Sequence, residues 1–321
     1  MAFGGFHRVA FLAVAFVALT FPEVFPPAYA QRPAPPVPTA PPVPATIFGV
    51  GDIMNCASPQ RAEQTGLLMQ RLLNETPNSI GVTFGDNSND DGSPESYDCL
   101  DRSVWGKLMS RLIPSPGNHD YGVDKDLPYY FLYFPKAGHP RLGYQAFDFG
   151  GWRIYALNSE LVAPDLRQGQ LNWLERDLAG QYRKCVMAYF HRPPFSSGNF
   201  ASPAWVMPIF RKLYKYGVDL IATGHEHFFA SMPPVTPDGV VDVAYGVPVL
   251  VAGTGGAVFF NRPRSLKFGT WGEQVVTHAL GILKITLKPM AFDWAFVPVD
   301  TTVKGPSGTG QCHENPPRFV E

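Results

Sequence analysis

The sequence predicts an α/β fold, because apolar runs with the length of buried strands alternate with segments of helical periodicity. The first two such runs, Thr46–Val50 and Ser79–Phe84, are separated by one helical segment, Gln60–Leu73. A strand, a crossover helix and a second strand set the two strands parallel in one sheet. Both runs end in the dipeptide Gly-Asp, so Asp52 and Asp86 are expected at one sheet edge, where α/β proteins assemble their sites.

The N-terminal region is expected to lie outside this fold. Arg8 is followed by an apolar run, Val9–Leu19, and then by Ala28-Tyr29-Ala30. A basic start, a short apolar core and an A-x-A end are typical of a secretory signal peptide, here residues 1–30 with cleavage after Ala30. An uncleaved anchor is the alternative, although the apolar run is short for a membrane span. The protein is therefore expected to be exported, to the periplasm or the extracellular space.

Composition bounds the rest of the chain. Residues 31–45 are rich in proline and favour an extended linker. We assign residues 46–300 to one domain and residues 301–321 to a C-terminal tail. The 321 residues carry a formal charge of −1 and are 45% apolar, which provides a large core and no basic footprint for a nucleic acid. No membrane span is expected in the mature chain, and the oligomeric state is left open.

Four cysteines lie beyond the predicted signal peptide. An even number in an exported protein favours disulfides, and the absence of C-x-x-C spacing disfavours a zinc ribbon. Three pairings are possible. We favour Cys56 with Cys99 and Cys185 with Cys312, of which the second would tether the tail.

A third strand end carries another group of polar residues. A helix is expected from Tyr97 to Met109, and the short run Leu112-Ile113 is ended by prolines that precede Gly117-Asn118-His119-Asp120. Such breakers are typical of a loop that leaves a strand. Asn118 offers an amide oxygen, and His119 offers an imidazole that titrates near neutral pH. The alternative is a Gly-Asn turn followed by a surface histidine.

The middle of the chain is less informative about function. The aromatic segment Tyr121–Gly143 is expected to be irregular, either beside the site or with a small hydrophobic cluster of its own. Strands at Tyr144–Phe149 and Trp152–Leu157 flank Gly150-Gly151, which predicts a hairpin. A helix is predicted at Gln168–Leu178.

Two later strands end in histidines. The strand Cys185–Phe190 leads to His191, and the strand Val218–Ala222, which follows a helix at 203–216, leads to Gly224-His225-Glu226-His227. On extended chain, the i, i+2 spacing places both imidazoles on one side, whereas helical zinc sites prefer i, i+4. Further strands are predicted at Val247–Ala252, Thr277–Leu287 and Ala291–Val297, with His278 as a core or edge residue inside one of them.

The ordered set Gly-Asp, Gly-Asp-Asn, Gly-Asn-His-Asp, strand-end His and Gly-His-x-His resembles the signature of the calcineurin-like metallophosphoesterases. The likeness is greatest to their purple-acid-phosphatase-like branch of exported bacterial proteins, and it spans roughly Phe48 to Cys312. The resemblance implies a four-layer αββα sandwich, in which two mixed β-sheets face each other between flanking helices. It also implies a site for two divalent or mixed-valence metal ions, such as iron, zinc or manganese.

The resemblance assigns six metal ligands, all of which follow predicted strands: Asp52, Asp86, Asn118, His191, His225 and His227. Asp86 would bridge the two ions. Asp52 and His227 would hold the first ion, and the remaining three residues would complete the second.

The same resemblance implies that His119 does not bind a metal but faces the scissile phosphate. Asp120 would orient its imidazole. The implied reaction is hydrolysis of a small-molecule phosphate ester, either a monoester or a diester, by in-line attack of a hydroxide bound to both ions. His119 would protonate the leaving alkoxide.

The first metal site departs from the family pattern at two positions. Met54 stands where many superfamily members have a histidine, and Asn89 stands where the purple branch has a tyrosine. Either the amide oxygen of Asn89 or a water would take that place. Two alternatives to the enzyme stay open: a non-catalytic or weakly catalytic binding protein on the same scaffold, and histidines that serve structure only.

Overall fold

Two β-sheets organise the part of the chain that the computed structural model describes, residues 44–122, 126–196, 198, 200, 203–259 and 274–314. The predicted signal peptide and nearly all of the predicted linker lie outside these residues. The strands are β1 (Ala45–Val50), β2 (Ser79–Phe84), β3 (Leu112–Ser115), β4 (Gln145–Phe149), β5 (Trp152–Ala156), β6 (Val186–Phe190), β7 (Leu220–Thr223), β8 (Phe229–Val235), β9 (Val247–Ala252), β10 (Gln274–Val276), β11 (Gly281–Leu287), β12 (Ala291–Pro298) and β13 (Ser307–Gln311). The helices are α1 (Pro59–Glu75), α2 (Pro94–Arg102), α3 (Pro128–Tyr133), α4 (Pro164–Gly180) and α5 (Met207–Lys215), with a 3-10 helix at Val104–Arg111.

Both sheets are mixed. The first has the order β13-β12-β11-β1-β2-β3, and the second has the order β10-β8-β9-β7-β6-β5-β4. β1, β2 and β3 are parallel, as the crossover through α1 predicts, while β11 pairs with β1 in the antiparallel direction. In the second sheet β5, β6, β7 and β9 are parallel. The carboxyl ends of β1, β2 and β3 therefore share one edge of the first sheet, and those of β6 and β7 share one edge of the second.

Alternating side chains along β1 divide between two cores, as expected for a strand that is buried on both faces. Ala45 and Ile47 pack between the sheets, in a core that includes Trp152 and Tyr189 of the second sheet. Phe48 packs on the other face, in a core with residues of α1 and α2.

A third core covers the outer face of the second sheet, where Leu174 of α4 and Phe210 of α5 pack against Phe190. The order of layers is thus helix, sheet, sheet, helix. This arrangement confirms the predicted α/β fold and its four-layer αββα form.

Local differences from the sequence predictions have simple causes. The helix expected from Tyr97 to Met109 is broken at Ser103, whose Oγ accepts from the backbone N–H of Trp105 at 3.0 Å and starts the 3-10 helix. His278 is exposed, lies outside the strands and has a φ of 57°, so its predicted place in a strand is wrong. The strand β8 was missed because Pro233 and Pro234 interrupt its pattern. At the hairpin, Gly150 and Gly151 have φ values of 60° and 85°, as a tight β4–β5 turn requires.

One of the two expected disulfides is present. Cys185 and Cys312 are bonded, and the tail that carries Cys312 adds β13 to the first sheet. Cys56 and Cys99 are free thiols, so the second expected bond is not formed in this structure. Burial, together with a hydrogen bond to Cys99, raises the pKa of the Cys56 thiol, and a protonated thiol is slow to oxidise. Their pairing stays a prediction.

Candidate metal centre

The candidate ligands lie in five loops that leave the carboxyl ends of β1, β2, β3, β6 and β7. Three of them have left-handed backbone: Asp52, Asp86 and His225, with φ values of 59°, 51° and 68°. Residues other than glycine rarely adopt this conformation, and it persists where a functional site requires it. The backbone at these positions therefore favours a site rather than three ordinary turns.

Glycines in the motifs allow these loops to approach one another. A Cβ added to Gly117 would lie 2.2 Å from the backbone nitrogen and Oδ1 of Asp86. A Cβ added to Gly224 would lie 2.7 Å from Oδ2 of Asp52. The glycine that precedes each candidate ligand is therefore needed for space at these two positions.

Three expected ligands of the second ion converge on an atom of the fourth, Nε2 of His191. This nitrogen lies 3.2 Å from Oδ2 of Asp86, 3.1 Å from Oδ1 of Asn118 and 3.0 Å from Nδ1 of His225. Nδ1 of His191 contacts the carbonyl oxygen of Phe84 at 2.9 Å, which orients the ring. The donors come from both sheets, since Asp86 and Asn118 follow β2 and β3, whereas the histidines follow β6 and β7.

The expected ligands of the first ion form a second group next to Asp86. Oδ1 of Asp52 lies 3.3 Å from Nε2 of His227, and Oδ2 of Asp52 accepts from the backbone N–H of His225 at 2.8 Å. Within the described residues, Oδ1 of Asp52 and Oδ1 of Asn89 are buried and accept no hydrogen bond. Buried oxygens of this kind are rare in proteins and call for an explanation, such as an ion.

His225 and His227 reach different partners, although they are only two residues apart. The φ of 68° at His225 shows that the chain is not extended here, so the prediction that both imidazoles chelate from one side is wrong. The intervening Glu226 is buried, and its carboxylate accepts from the hydroxyl of Ser196 and from the backbone N–H of Phe200. Glu226 thus anchors the segment after β6 beside the site.

His119 lies on the open side of the site. Its side chain is 41% exposed, and its Nε2 lies 4.0 Å from Oδ2 of Asp86. Its Nδ1 lies 2.5 Å from the carbonyl oxygen of Asp90, and its backbone N–H donates to Oδ1 of Asp86 at 2.8 Å. The carbonyl of Asp90 accepts only, so it fixes a proton on Nδ1 and aims Nε2 away from Asp90.

Asp120 has a different role from the expected one. Its buried carboxylate accepts from the hydroxyl of Tyr97 at 2.7 Å and from the backbone N–H groups of Gly117, Asn87 and Ser88 at 2.8–3.1 Å. Burial raises the pKa of Asp120, and the nearby charge of Asp86 adds to the increase. The carbonyl of Asp90 orients the His119 imidazole, whereas Asp120 joins the loops after β2 and β3.

The electrostatics of the centre are dominated by Asp86 and His191. Burial alone would raise the pKa of the Asp86 carboxyl, but the His191 imidazole outweighs it and lowers that pKa below its usual range. Burial alone would lower the pKa of His191, but the Asp86 carboxylate raises it to about 10. Burial lowers the pKa of His225, and the positive charge of Arg192 lowers it further.

Two residues of the centre escaped the sequence analysis. Arg192 lies 2.9 Å from Nε2 of His225 through Nη1, and its Nε lies 3.0 and 2.9 Å from the two carboxylate oxygens of Glu160. The position of Arg192 directly after a strand-end histidine was a usable signal. Glu160 gave none, because its contact with Arg192 joins segments that are distant in sequence.

Comparison with known proteins adds the deciding observation. Residues 45–229, more than half of the chain, match the profile of the calcineurin-like phosphoesterases. The chain belongs to this family. The segment matched runs from the start of β1 to the start of β8, so it includes every candidate ligand.

Several curated relatives of this calcineurin-like phosphoesterase are hydrolases of phosphate esters by name. Purple acid phosphatase 15 of Arabidopsis thaliana is 26% identical over 144 residues, which cover 39% of this chain and 27% of that protein. A probable cyclic nucleotide phosphodiesterase of Synechococcus sp. is 30% identical over 178 residues, which cover 53% and 64%. The chain thus aligns with less than two thirds of the length of either relative.

Solved structures share the fold of this family member. Purple acid phosphatase PPD1 from yellow lupin (Lupinus luteus) seeds has a TM-score of 0.66 at 18% identity, over 83% of this chain and 53% of that one. GAP50 of Plasmodium, described as the anchor in the inner membrane complex, has a TM-score of 0.65 at 12% identity, over 85% and 90%. These structures show the shared fold; with the profile match and the relative Purple acid phosphatase 15, they support the expected family and its purple-acid-phosphatase-like branch.

The residues of this calcineurin-like phosphoesterase fit the metals that its family implies. Carboxylate, amide and imidazole donors suit borderline divalent ions. The unsatisfied oxygens of Asp52 and Asn89 are explained if each binds a cation.

No helix among the described residues is long and apolar enough to cross a membrane.

Proposed function

We propose that this protein hydrolyses small-molecule phosphate esters at a centre that holds two divalent or mixed-valence metal ions, with iron, zinc and manganese as the candidates. The observation that carries the proposal is the convergence of Asp86, Asn118 and His225 on Nε2 of His191, within 3.0–3.2 Å. Donors from two different sheets meet at this point, and a cation is the partner that such a cluster suits.

The ligand sets follow from the two groups of contacts. Asp86 would belong to both ions. The first ion would be held by Asp52, His227 and the amide oxygen of Asn89. The second ion would be held by the remaining three residues: Asn118, His191 and His225.

When bound, paired ions of this kind lower the pKa of water and stabilise the attacking and leaving oxygens of an in-line displacement. The residues of the chain supply the proton for the leaving oxygen. His119 presents Nε2 to the open side, and its Nδ1–H is held by the Asp90 carbonyl, which fixes the orientation of the ring. Protonated His119 donates a proton to the leaving oxygen, a role commonly worth about 10²–10⁴ in rate.

The relatives support phosphoester chemistry and leave the ester class open. They include both purple acid phosphatases and cyclic nucleotide phosphodiesterases, so a monoester and a diester are both candidates. We also propose that the protein is exported. The disulfide between Cys185 and Cys312 is compatible with that location, because such bonds persist in oxidising compartments.

The test combines metal content with turnover. We expect about two ions per chain and hydrolysis of 4-nitrophenyl phosphate and of an alkyl phosphate. His119→Ala should retain the metals and lose about 10²–10⁴ in kcat on the alkyl ester, with a smaller loss on the aryl ester, whose leaving group needs less protonation. Asp86→Ala should lose metal, whereas His139→Ala, an exposed histidine outside the site, should change neither quantity.

Each other result points to a different function. One ion, without turnover, would indicate a binding protein in which the first site is depleted by Met54 and Asn89. No metal at all would indicate histidines that serve structure only. Full activity of His119→Ala on alkyl phosphates would refute its role as the acid.

A further inference from the structure

A second group of metal-binding side chains lies at the opposite end of the second sheet. Cys185 and Asp219 directly precede β6 and β7, whereas His191 and His225 follow those strands. Because β6 and β7 are parallel neighbours, the first two residues lie side by side at the amino edge of the sheet. Cys312, which comes directly after β13, joins them through its bond to Cys185.

The three side chains present their donor atoms at one point. Both sulfurs and a carboxylate oxygen of Asp219 lie within 4.8 Å of one another, and all three residues are buried. The carboxylate is fixed in place, because Oδ2 accepts from the backbone N–H of Val186 at 2.7 Å and Oδ1 accepts from that of His313 at 2.6 Å. Each oxygen keeps a further lone pair that is available to a cation.

The side chain of His313 adds a nitrogen donor. Its Nδ1 is buried, lies 2.9 Å from Oδ1 of Asp219 and forms no hydrogen bond of good geometry with a described residue. Buried polar atoms of this kind are rare, and a bound ion is one explanation for them. We call these four residues the sulfur cluster: Cys185, Asp219, Cys312 and His313.

A cavity of about 610 Å³ reaches the sulfur cluster. Its wall includes Asp219, Cys312 and His313, so a small ion has a path to the donors. Glu314 adds a carboxylate to this wall, and the described lining residues include no lysine or arginine. The charges along the path therefore favour a cation.

We propose that the sulfur cluster binds one thiophilic divalent cation, with Zn²⁺ as the type, when its disulfide is reduced. Two thiolates, one imidazole and one carboxylate are four ligands of the kinds that zinc takes in tetrahedral sites. This site is separate from the centre proposed above, and it does not rest on the proposed hydrolysis.

Reduction and metal binding are two balanced steps. A dithiol breaks the bond between the sulfurs by giving two electrons and two protons, so two thiols form and the dithiol becomes a disulfide. The cation then displaces the two protons, and each thiolate shares an electron pair with it. The cysteine pair thus carries either a disulfide or a cation, and in both cases the tail that bears Cys312 stays joined to the start of β6.

The test uses a protein that keeps only the two cysteines of the sulfur cluster, the variant Cys56→Ser/Cys99→Ser. It is reduced with excess dithiothreitol, separated from the reagent without oxygen and titrated with Co²⁺. We expect one binding event that is accompanied by a sulfur-to-cobalt charge-transfer band in the near ultraviolet. Co²⁺ at the centre proposed above would meet only oxygen and nitrogen donors and give no such band. The same protein with its disulfide intact should also show no band.

Further variants in this background identify the ligands. Adding Cys185→Ser and Cys312→Ser together should abolish the band. Asp219→Asn and His313→Ala, made separately, should each weaken the event by about tenfold or more, since even supporting groups contribute about 10–100-fold to metal affinity. Asp238→Asn is the matched control, because Asp238 is exposed and pairs with Arg211, and it should leave the event unchanged.

Circular dichroism of the same samples covers the case in which reduction unfolds the protein. Co²⁺ should then restore the native spectrum together with the band, and a failure to restore it would overturn the proposal. A reduced protein that is folded and shows no band would overturn it as well. Equal affinity in Asp219→Asn, His313→Ala and Asp238→Asn would overturn the assigned ligand set. Because the band requires thiolates, none of these results depends on whether the proposed hydrolytic centre holds metal.

Discussion

Asn89 is the residue at which this chain differs most from the purple branch that it resembles. The amide oxygen is buried and accepts no hydrogen bond from any described residue, while its backbone N–H donates to the carbonyl of Met54 at 2.6 Å. An amide that is fixed by its backbone and left with an unsatisfied oxygen is suited to bind a cation. Since no tyrosinate is present at this position, the charge-transfer colour of the purple enzymes is not expected.

Asn89→Ala should therefore weaken one of the two metal-binding events. Even groups that only support metal ligands contribute about 10–100-fold to affinity, so we expect a loss of at least about tenfold. Calorimetric titration with Mn²⁺ measures this loss. Asn172→Ala, at an exposed position of α4, is the matched control and should leave both events unchanged. Two unaltered binding events in Asn89→Ala would show that a water fills the position instead.

At the scale of single residues, the sequence predicted the candidate donors and missed the residues that contact them. Asp52, Asp86 and Asn118 could be named because each follows a predicted strand end and a glycine. Arg192 directly follows a strand-end histidine and could have been named, whereas Glu160 contacts Arg192 from a distant segment and left no pattern in the sequence. The role of Asp120 was misjudged for the same reason, since its partners lie in loops that only the fold brings together.

The elements that form the centre are joined by Asp120. Its carboxylate accepts hydrogen bonds from the loop after β2, from the loop after β3 and from Tyr97 of α2. The two loops that carry candidate ligands thus share one buried acceptor, and their relative position depends on it.

Asp120→Asn should destabilise the fold even without metal. The asparagine side chain has nearly the size of the aspartate side chain, but its NH₂ group cannot accept a hydrogen bond. Backbone N–H groups that face it therefore lose their acceptor, which costs about 1–3 kcal/mol for each unsatisfied group. We expect the free energy of unfolding of the chelated protein to fall by about 3 kcal/mol in urea. Asp238→Asn, an exposed position paired with Arg211, should change it by less than about 0.5 kcal/mol. Equal stability of both variants would contradict this role of Asp120.

Among the elements themselves, strands that are buried on both faces were the most predictable. β2 and β9 have the predicted bounds, because each is rich in apolar residues and has turn residues beside it. β13 was missed because its sequence, SGTGQ, has no apolar residue and forms a strand only by pairing with β12. Pairing between distant strands overrides local propensity in such cases.

Across the whole molecule, the metal centre connects the two sheets. Asp52, Asp86 and Asn118 belong to the first sheet, and the three histidines belong to the second. Ions bound between them, as proposed, would hold the sheets together in the folded state and would have no such site in the unfolded chain.

Removal of the ions should therefore lower thermal stability. A ligand at 100 times its Kd stabilises a fold by about 2.7 kcal/mol, which for a chain of this size corresponds to a melting temperature several degrees higher. We expect chelation to lower Tm by roughly this amount and Mn²⁺ to restore it, as measured by calorimetry. Asp86→Ala should show no restoration, because it lacks the shared ligand. A wild-type Tm that does not respond to chelation would contradict the connection between metal and sheets.

The antiparallel pairing of β1 with β11 has a consequence for how the protein matures. β1 lies in the middle of its sheet, and one of its two neighbours, β11 (Gly281–Leu287), is far from it in the sequence. During synthesis the ligand-bearing loops therefore emerge from the ribosome long before the strand that completes the sheet beside them. The candidate ligands therefore have no completed sheet beside them until β11 has been made, and we expect metal to bind only after that strand is in place.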